Sequence, residues 1–269
     1  MTDRIKDHSK EIPTIRKITC QKVQRTGEAP HTEGEALHVE EDVVCEHELE
    51  ISVNGMPAFR LTCTPEHLKE LVLGRLLTAG LIRGMEDVEH LFICGEGNIA
   101  EVRLREGIQI QDFSGSEPTC CTGNRQYLQG NEKLREEPFS AAVPEPEVIF
   151  RMAEHFRKDS ALHKITGGTH SCYVRFGDGR ILSFEDIGRH NALDKAVGAL
   201  LLEGEDPLAA MLYTSGRVPA DMVEKVIRAG IPVLISKSVP TDRGILLAKE
   251  YGLTLICRAR EDSYWITTR

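Results

Sequence analysis

The chain has no long apolar run. No stretch approaches the roughly 18 apolar residues of a membrane-spanning helix. The N-terminus, Met-Thr-Asp-Arg-Ile-Lys-Asp-His, has no apolar stretch after its basic residues and so reads as carrying no secretory signal. A cytoplasmic location is the expectation. Positive charge is also in deficit: 33 Lys and Arg stand against 42 Asp and Glu, for a net charge of -9. That balance argues against nucleic acid or an anionic membrane as a partner, although it leaves room for a locally basic pocket. The Thr214-Ser215-Gly216-Arg217 turn is not a Walker sequence. The Pro-Cys-x-x-Cys element of the zinc deaminases is missing as well. Its usual companion, His-x-Glu, occurs at His31 and His38, but in a charged N-terminal stretch. No metal bound directly by the protein is expected. Thiols stay reduced in the cytoplasm, so the eight cysteines are not a disulfide framework.

What is present is a sizeable apolar fraction, 41% of 269 residues, enough for one large domain or two ordinary ones. Residues 1–40 are charged and poor in large apolar side chains, and are expected to form a loose arm. Residues 41–140 read as a small α+β domain. Apolar alternation flanks Asn54-Gly55, a hairpin signal. Thr64-Pro65-Glu66 reads as a helix start, with Leu68, Leu71, Val72 and Leu76 at helical spacing and Gly80 as the stop. Pro144-Glu-Pro146 closes a break, and residues 141–269 then alternate between strands and helices, the pattern of an α/β layered domain. Strands fit 170–176, 180–184, 209–213, 232–236 and 253–257. Helices fit 147–157, 190–202, 219–229 and 241–251.

Six cysteines sit singly among apolar residues, but Cys120 and Cys121 are adjacent in a loop of Gly, Ser, Pro, Thr and Asn. Cysteine is ordinarily buried, so a pair in a polar loop suggests a reactive thiol, with Arg125 close enough in sequence to favour the thiolate. Two inert loop cysteines would also fit. The other polar motifs fall at ends of the expected α/β strands, where such folds bind ligands. They are Thr166-Gly167-Gly168-Thr169-His170; the 185–191 run Glu-Asp186-Ile-Gly-Arg189-His190-Asn191; Thr214-Ser215-Gly216-Arg217; Ser236-Lys-Ser-Val-Pro-Thr241; and Ile256-Cys257-Arg258-Ala259-Arg260-Glu261. Helix N-termini and the cations Arg189, Arg217, Lys237, Arg258 and Arg260 suit a ligand with several phosphates. A structural reading of the 185–191 run also stands, in which Asn191 caps a helix while Asp194 and Lys195 pair on the surface.

Residues 43–269 resemble the FdhD/NarQ family of formate dehydrogenase accessory sulfurtransferases. The likeness rests on Glu48-Leu-Glu-Ile-Ser-Val-Asn-Gly55, Leu71-Val-Leu-Gly-Arg-Leu-Leu-Thr-Ala-Gly80, the Thr166–His170 and Glu185–Lys195 segments, Ser215-Gly-Arg217 and Ser238-Val-Pro-Thr241. The resemblance implies a cytidine-deaminase-like second half and a homodimer. It also implies transfer of persulfide sulfur from a cysteine desulfurase to the molybdenum cofactor bis-molybdopterin guanine dinucleotide, bound as substrate, for formate dehydrogenase. The alternative is a cofactor chaperone without sulfur transfer. The family loop usually reads Cys-Gly-x-Cys-Gly, with the first cysteine carrying sulfur. Here the second position falls on Gly123 if Cys120 is first, and on Asn124 if Cys121 is first.

Overall fold

The protein is seen in a computed structural model that describes residues 4–24, 35–116, 122–130 and 134–269. Cys120 and Cys121 lie outside the described residues. The fold is mixed α/β, built on two sheets and a separate two-stranded ribbon. The ribbon pairs β2 (Ile15–Gln24) with β3 (Glu35–Val44). A short strand before it, β1 (Ile5–Asp7), joins the first sheet beside β6 (Val88–Ile93). These strands occupy much of the stretch expected to be a loose arm. Charged alternation there forms exposed strands, which a search for large apolar residues overlooks.

The first sheet runs β1-β6-β7-β4-β5-β9-β8, with β4 (His47–Val53), β5 (Met56–Cys63), β7 (Ile99–Leu104), β8 (Ile110–Ser116) and β9 (Arg125–Gly130). The β4–β5 turn is made by Asn54 and Gly55, with φ of 51° and 79°. Both residues are in the left-handed region that a tight hairpin requires. Helix α1 (Leu68–Thr78) follows, and Gly80 at φ 72° ends the segment as expected. Its start differs from the expectation. Thr64 is not the cap; the helix begins after His67, and no side chain caps it. The Thr64 hydroxyl is instead buried among Asp186, Lys195 and the Glu185 carbonyl.

After α2 (Pro146–Asp159) and the short α3 (Ala161–Thr166), the second sheet assembles in the order β11-β10-β12-β13-β14-β15. Its strands are β10 (His170–Arg175), β11 (Ile181–Asp186), β12 (Met211–Thr214), β13 (Val233–Ser236), β14 (Thr254–Cys257) and β15 (Trp265–Ile266). β12, β13 and β14 are parallel, and β10 is antiparallel to β11 and β12. That reversal brings the start of β10 and the end of β11 to the edge where β12, β13 and β14 end. Motifs far apart in sequence therefore meet along one edge.

Side chains alternate across this sheet. Tyr173, Tyr213, Val233, Ile235 and Ile256 pack with Ile149, Met152 and Ala153 of α2. Cys172, Val174, Leu212, Leu234 and Leu255 face the other way. Their cluster takes in α4 (Arg189–Glu203), α5 (Ala220–Arg228), α6 (Asp242–Glu250), α1 and the first sheet. Both halves of the chain thus share one apolar core. At its centre α1 crosses α4 at glycines. A Cβ on Gly74 would stand 1.8 Å from the Asp194 carbonyl oxygen, and one on Gly198 would stand 1.9 Å from that of Glu70.

Gly198→Ala should therefore force the helices apart. Overpacking usually costs about 1–3 kcal/mol, and rigid backbone on the far side places this case at the upper end. Chemical denaturation should show a midpoint well below the parent's. An unchanged midpoint would mean that the helices part without penalty.

Candidate functional site: a cationic cleft at one sheet edge

Among the described residues, a cleft of about 520 Å³ opens at the shared edge of the second sheet. The ends of β12, β13 and β14 supply Ser215, Lys237, Ser238, Arg258 and Arg260, and the start of β10 supplies Gly167, Gly168 and His170. Phe156, His163 and Ile187 complete much of the wall. No carboxylate is among the lining residues, although the chain is acidic as a whole. Such a lining suits an anion.

Two of the cations are braced by rings and, among the described residues, not neutralised by acids. The Lys237 ammonium lies 4.4 Å from the Phe156 ring centre, and the Arg258 guanidinium 4.5 Å from that of Trp265. An aromatic face holds a cation in place and leaves its charge available. Arg258 also has φ 52°, a left-handed backbone that a side-chain-bearing residue adopts only under constraint. Its amide is tied to the Ser238 carbonyl at 2.8 Å, and the Ala259 amide to that of Ser236 at 2.9 Å. These bonds hold the turn that aims Arg258 and Arg260 at the cleft.

The opposite wall is held by Glu185. Its carboxylate accepts from the amides of Leu162 and His163, both at 2.8 Å, and from the Thr169 hydroxyl at 3.1 Å. Thr166 ends α3 and its hydroxyl accepts from the Gly168 amide. Gly167, at φ 64°, makes the turn. His170 Nδ1 lies 3.4 Å from the Ser215 hydroxyl. Burial first, and then Arg189, hold this imidazole below the ordinary histidine pKa.

The remaining expected residues sit elsewhere. Asp186 is fully buried, in an ion pair with Lys195 at 2.7 Å and accepting from the amides of Thr64 and Gly188. Lys195 and Asp194 are also buried, not on the surface; Asp194 pairs with Lys225 at 2.7 Å and Arg75 at 3.5 Å. His190 is buried beside Asp221, with Nε2 3.2 Å from its carboxylate. Arg189 is buried, and its stem packs where a Cβ on Gly216 would be, 2.9 Å away. Asn191 lies inside the first turn of α4, whose N-cap is Gly188. Ile256, Cys257 and Ala259 are core, and burial raises the Cys257 thiol to about 11. Arg217 and Glu261 are exposed, the latter paired with Arg157.

Phe156 and His163 carry no sequence signal. Phe156 looks like any apolar residue of a helix, and α3 is too short to show periodicity. Lys237 and Ser238 were visible in their motif, but only the strand order sets them against Arg258.

The base of the cysteine loop, Thr122 to Asn124, meets this region at its far end. Asn124 is buried, and its Nδ2 donates to Asn191 Oδ1 at 2.7 Å. Thr122, the residue after Cys121, lies 3.3 Å from where a Cβ of Gly188 would be. Ile187, next to Gly188, lines the cleft. Among the described residues no group of three or more His, Cys, Asp or Glu side chains could hold a metal ion, and no helix is long and apolar enough to cross a membrane.

These features define a mixed α/β protein with a cationic cleft beside the base of a cysteine-bearing loop. Residues 44–269 match the model of the FdhD/NarQ family, and the chain belongs to that family. It is 32% identical over 245 residues to the sulfur carrier protein FdhD of Bacillus subtilis, covering 88% of this chain and 92% of that one. It is also 32% identical over 258 residues to the protein of that name from Sulfolobus acidocaldarius, covering 94% and 96%. The fold is similar to the crystal structure of a candidate formate dehydrogenase accessory protein from Desulfotalea psychrophila, with a TM-score of 0.72 and 24% identity over 96% of this chain and 98% of that one.

Pyrophosphate or a nucleoside diphosphate should bind the cleft and alter the emission of Trp265, the one tryptophan of the chain. Charge-assisted bonds contribute roughly 1.5–3 kcal/mol, so Lys237→Ala or Arg258→Ala should weaken binding about tenfold or more by calorimetry. Unchanged affinity in both variants would move the ligand elsewhere.

The His170 pKa gives a second test. A histidine with a depressed folded pKa binds fewer protons folded than unfolded, so stability rises with pH across that interval. The parent should therefore lose stability as pH falls below about 6.5, and His170→Gln should flatten the decline. Equal declines in denaturation midpoint between pH 7.5 and 5.5 would refute this.

Proposed function

We propose that this protein is a sulfur carrier. It takes persulfide sulfur from a cysteine desulfurase and passes it to bis-molybdopterin guanine dinucleotide, so that formate dehydrogenase becomes active. The observation that carries this reading is the close approach of Thr122, at the base of the cysteine loop, to Gly188, beside Ile187 of the cationic cleft. A loop thiol and a polyanionic cofactor would there be neighbours. The names of the relatives, sulfur carrier protein FdhD, support it.

In the first step a thiolate of Cys120 or Cys121 attacks the outer sulfur of the desulfurase persulfide. The S–S bond breaks, the carrier gains the persulfide and the desulfurase departs as its thiolate. The loop thiol must be partly ionised, unlike the buried thiols of Cys63 and Cys172, both raised by burial. In the cleft, Lys237, Arg258, Arg260 and the backbone at Gly167 and Gly168 would hold the nucleotide diphosphates. We also read the second half as cytidine-deaminase-like, supported by its alternation of strands and helices, and the protein as a cytoplasmic homodimer.

A chaperone that binds cofactor without transferring sulfur is the second reading. It is favoured by the absence of a cysteine at both positions where the family pattern has its second thiol, Gly123 and Asn124. Replacement of Cys120 and Cys121 together by Ala separates the two. On the carrier reading this variant melts like the parent, gains no sulfur by mass when incubated with a desulfurase and cysteine, and yields inactive formate dehydrogenase. Single replacements then identify the carrying thiol. Full dehydrogenase activity with the double variant would favour the chaperone.

A further inference from the structure

The base of the cysteine loop is held by a pair of buried amides. β9 pairs with β5 at Phe59 and Arg60. The peptide groups of Thr62, further along β5, are met by side chains. The Thr62 amide donates to Asn124 Oδ1 at 3.1 Å, and Asn191 Nδ2 donates to the Thr62 carbonyl at 2.8 Å. The two side chains are joined to each other, Asn124 Nδ2 donating to Asn191 Oδ1. They take the place of the missing strand. The Thr122 hydroxyl also donates to Asn124 Oδ1, at 3.0 Å.

The same amides reach the cleft. Asn191 Nδ2 donates to Asp186 Oδ1 at 2.9 Å. Glu185, next in the chain, holds the wall that carries Gly167, Gly168 and His170. Adjacent carboxylates thus fix the cleft wall and, through Asn191, the loop base. The neutral amide at 124 both accepts from Thr62 and donates to Asn191. A methyl group would leave both partners unmet in a buried place, and a thiol would meet them only weakly.

We propose that Asn124 is a positioning residue for sulfur transfer: clasped to Asn191, it fixes the base of the cysteine loop, Thr122 to Asn124, beside the cleft. The proposal rests on the sulfur-carrier reading. In the register that starts at Cys121, a structural anchor then occupies the place of the family's second thiol.

The test combines Asn124→Ala, Asn191→Ala, the double variant and the milder Thr122→Val. Iodoacetamide labelling of the full chain, read by peptide mass, reports the loop thiols, with Cys63 and Cys172 as internal controls for unfolding. Release of the clasp should speed labelling of Cys120 and Cys121 at least threefold while the controls stay protected. Persulfide loading from a desulfurase should persist, while onward transfer to the cofactor slows at least tenfold. The double variant should add little to either single, because both break one interaction. Parent-like labelling and transfer in Asn124→Ala would overturn the proposal. If that variant unfolds, Thr122→Val decides, with faster loop labelling expected and parent-like labelling counting against the clasp. Should no variant, nor the parent, accept sulfur, the carrier reading fails, while the labelling still reports on the clasp.

Discussion

The crossing of α1 and α4 is the constraint on which the rest depends. Gly74 and Gly198 let two backbones approach to a distance that any side chain would prevent. This contact joins the first sheet to the second and makes one core of two halves. It also buries α4 from Arg189 to Leu200. A helix so enclosed that still carries Arg, His, Asn, Asp and Lys must satisfy each of them internally, because unpaired charge in an apolar interior is prohibitively costly.

The buried polar residues accordingly form a framework. Asp194 gathers Lys225, Arg75 and the Thr78 hydroxyl from α5 and α1. Lys195 and Asp186 tie the end of β11 to Thr64, where β5 gives way to α1. Buried ion-pair and hydrogen-bond networks of this kind define one arrangement more sharply than apolar packing can. The polar run at the head of α4 is therefore chiefly a brace, standing between the cationic cleft and Asn124 at the base of the cysteine loop.

Exposure separates the cations of the cleft from the buried thiols. The cations of the cleft, Lys237, Arg258 and Arg260, remain solvent-exposed and carry no carboxylate among their lining neighbours. Cys63, Cys172 and Cys257 are buried with raised pKa values, which makes them poor nucleophiles. On the proposed reading the exchanging thiol is therefore that of Cys120 or Cys121, in a polar stretch of sequence, and none of these three.

Much was legible in the sequence because it is written locally. The Asn54-Gly55 turn, the helices near 146–159, 189–203 and 220–228, and the parallel strands follow from periodicity and turn chemistry that neighbouring residues alone impose. The 185–191 run and the strand-end arginines stood out as polar residues in short turns. What the sequence could not contain was which of them face one another. The antiparallel placement of β10 brings His170 beside Ser215, the strand order sets Lys237 by Arg258, and the glycine crossing turns Asp186, Asp194 and Lys195 inward. Local propensity acts over a few residues, whereas burial and pairing are set between chain segments far apart in sequence, 122 residues in the case of Thr64 and Asp186. Only the tertiary structure decides them.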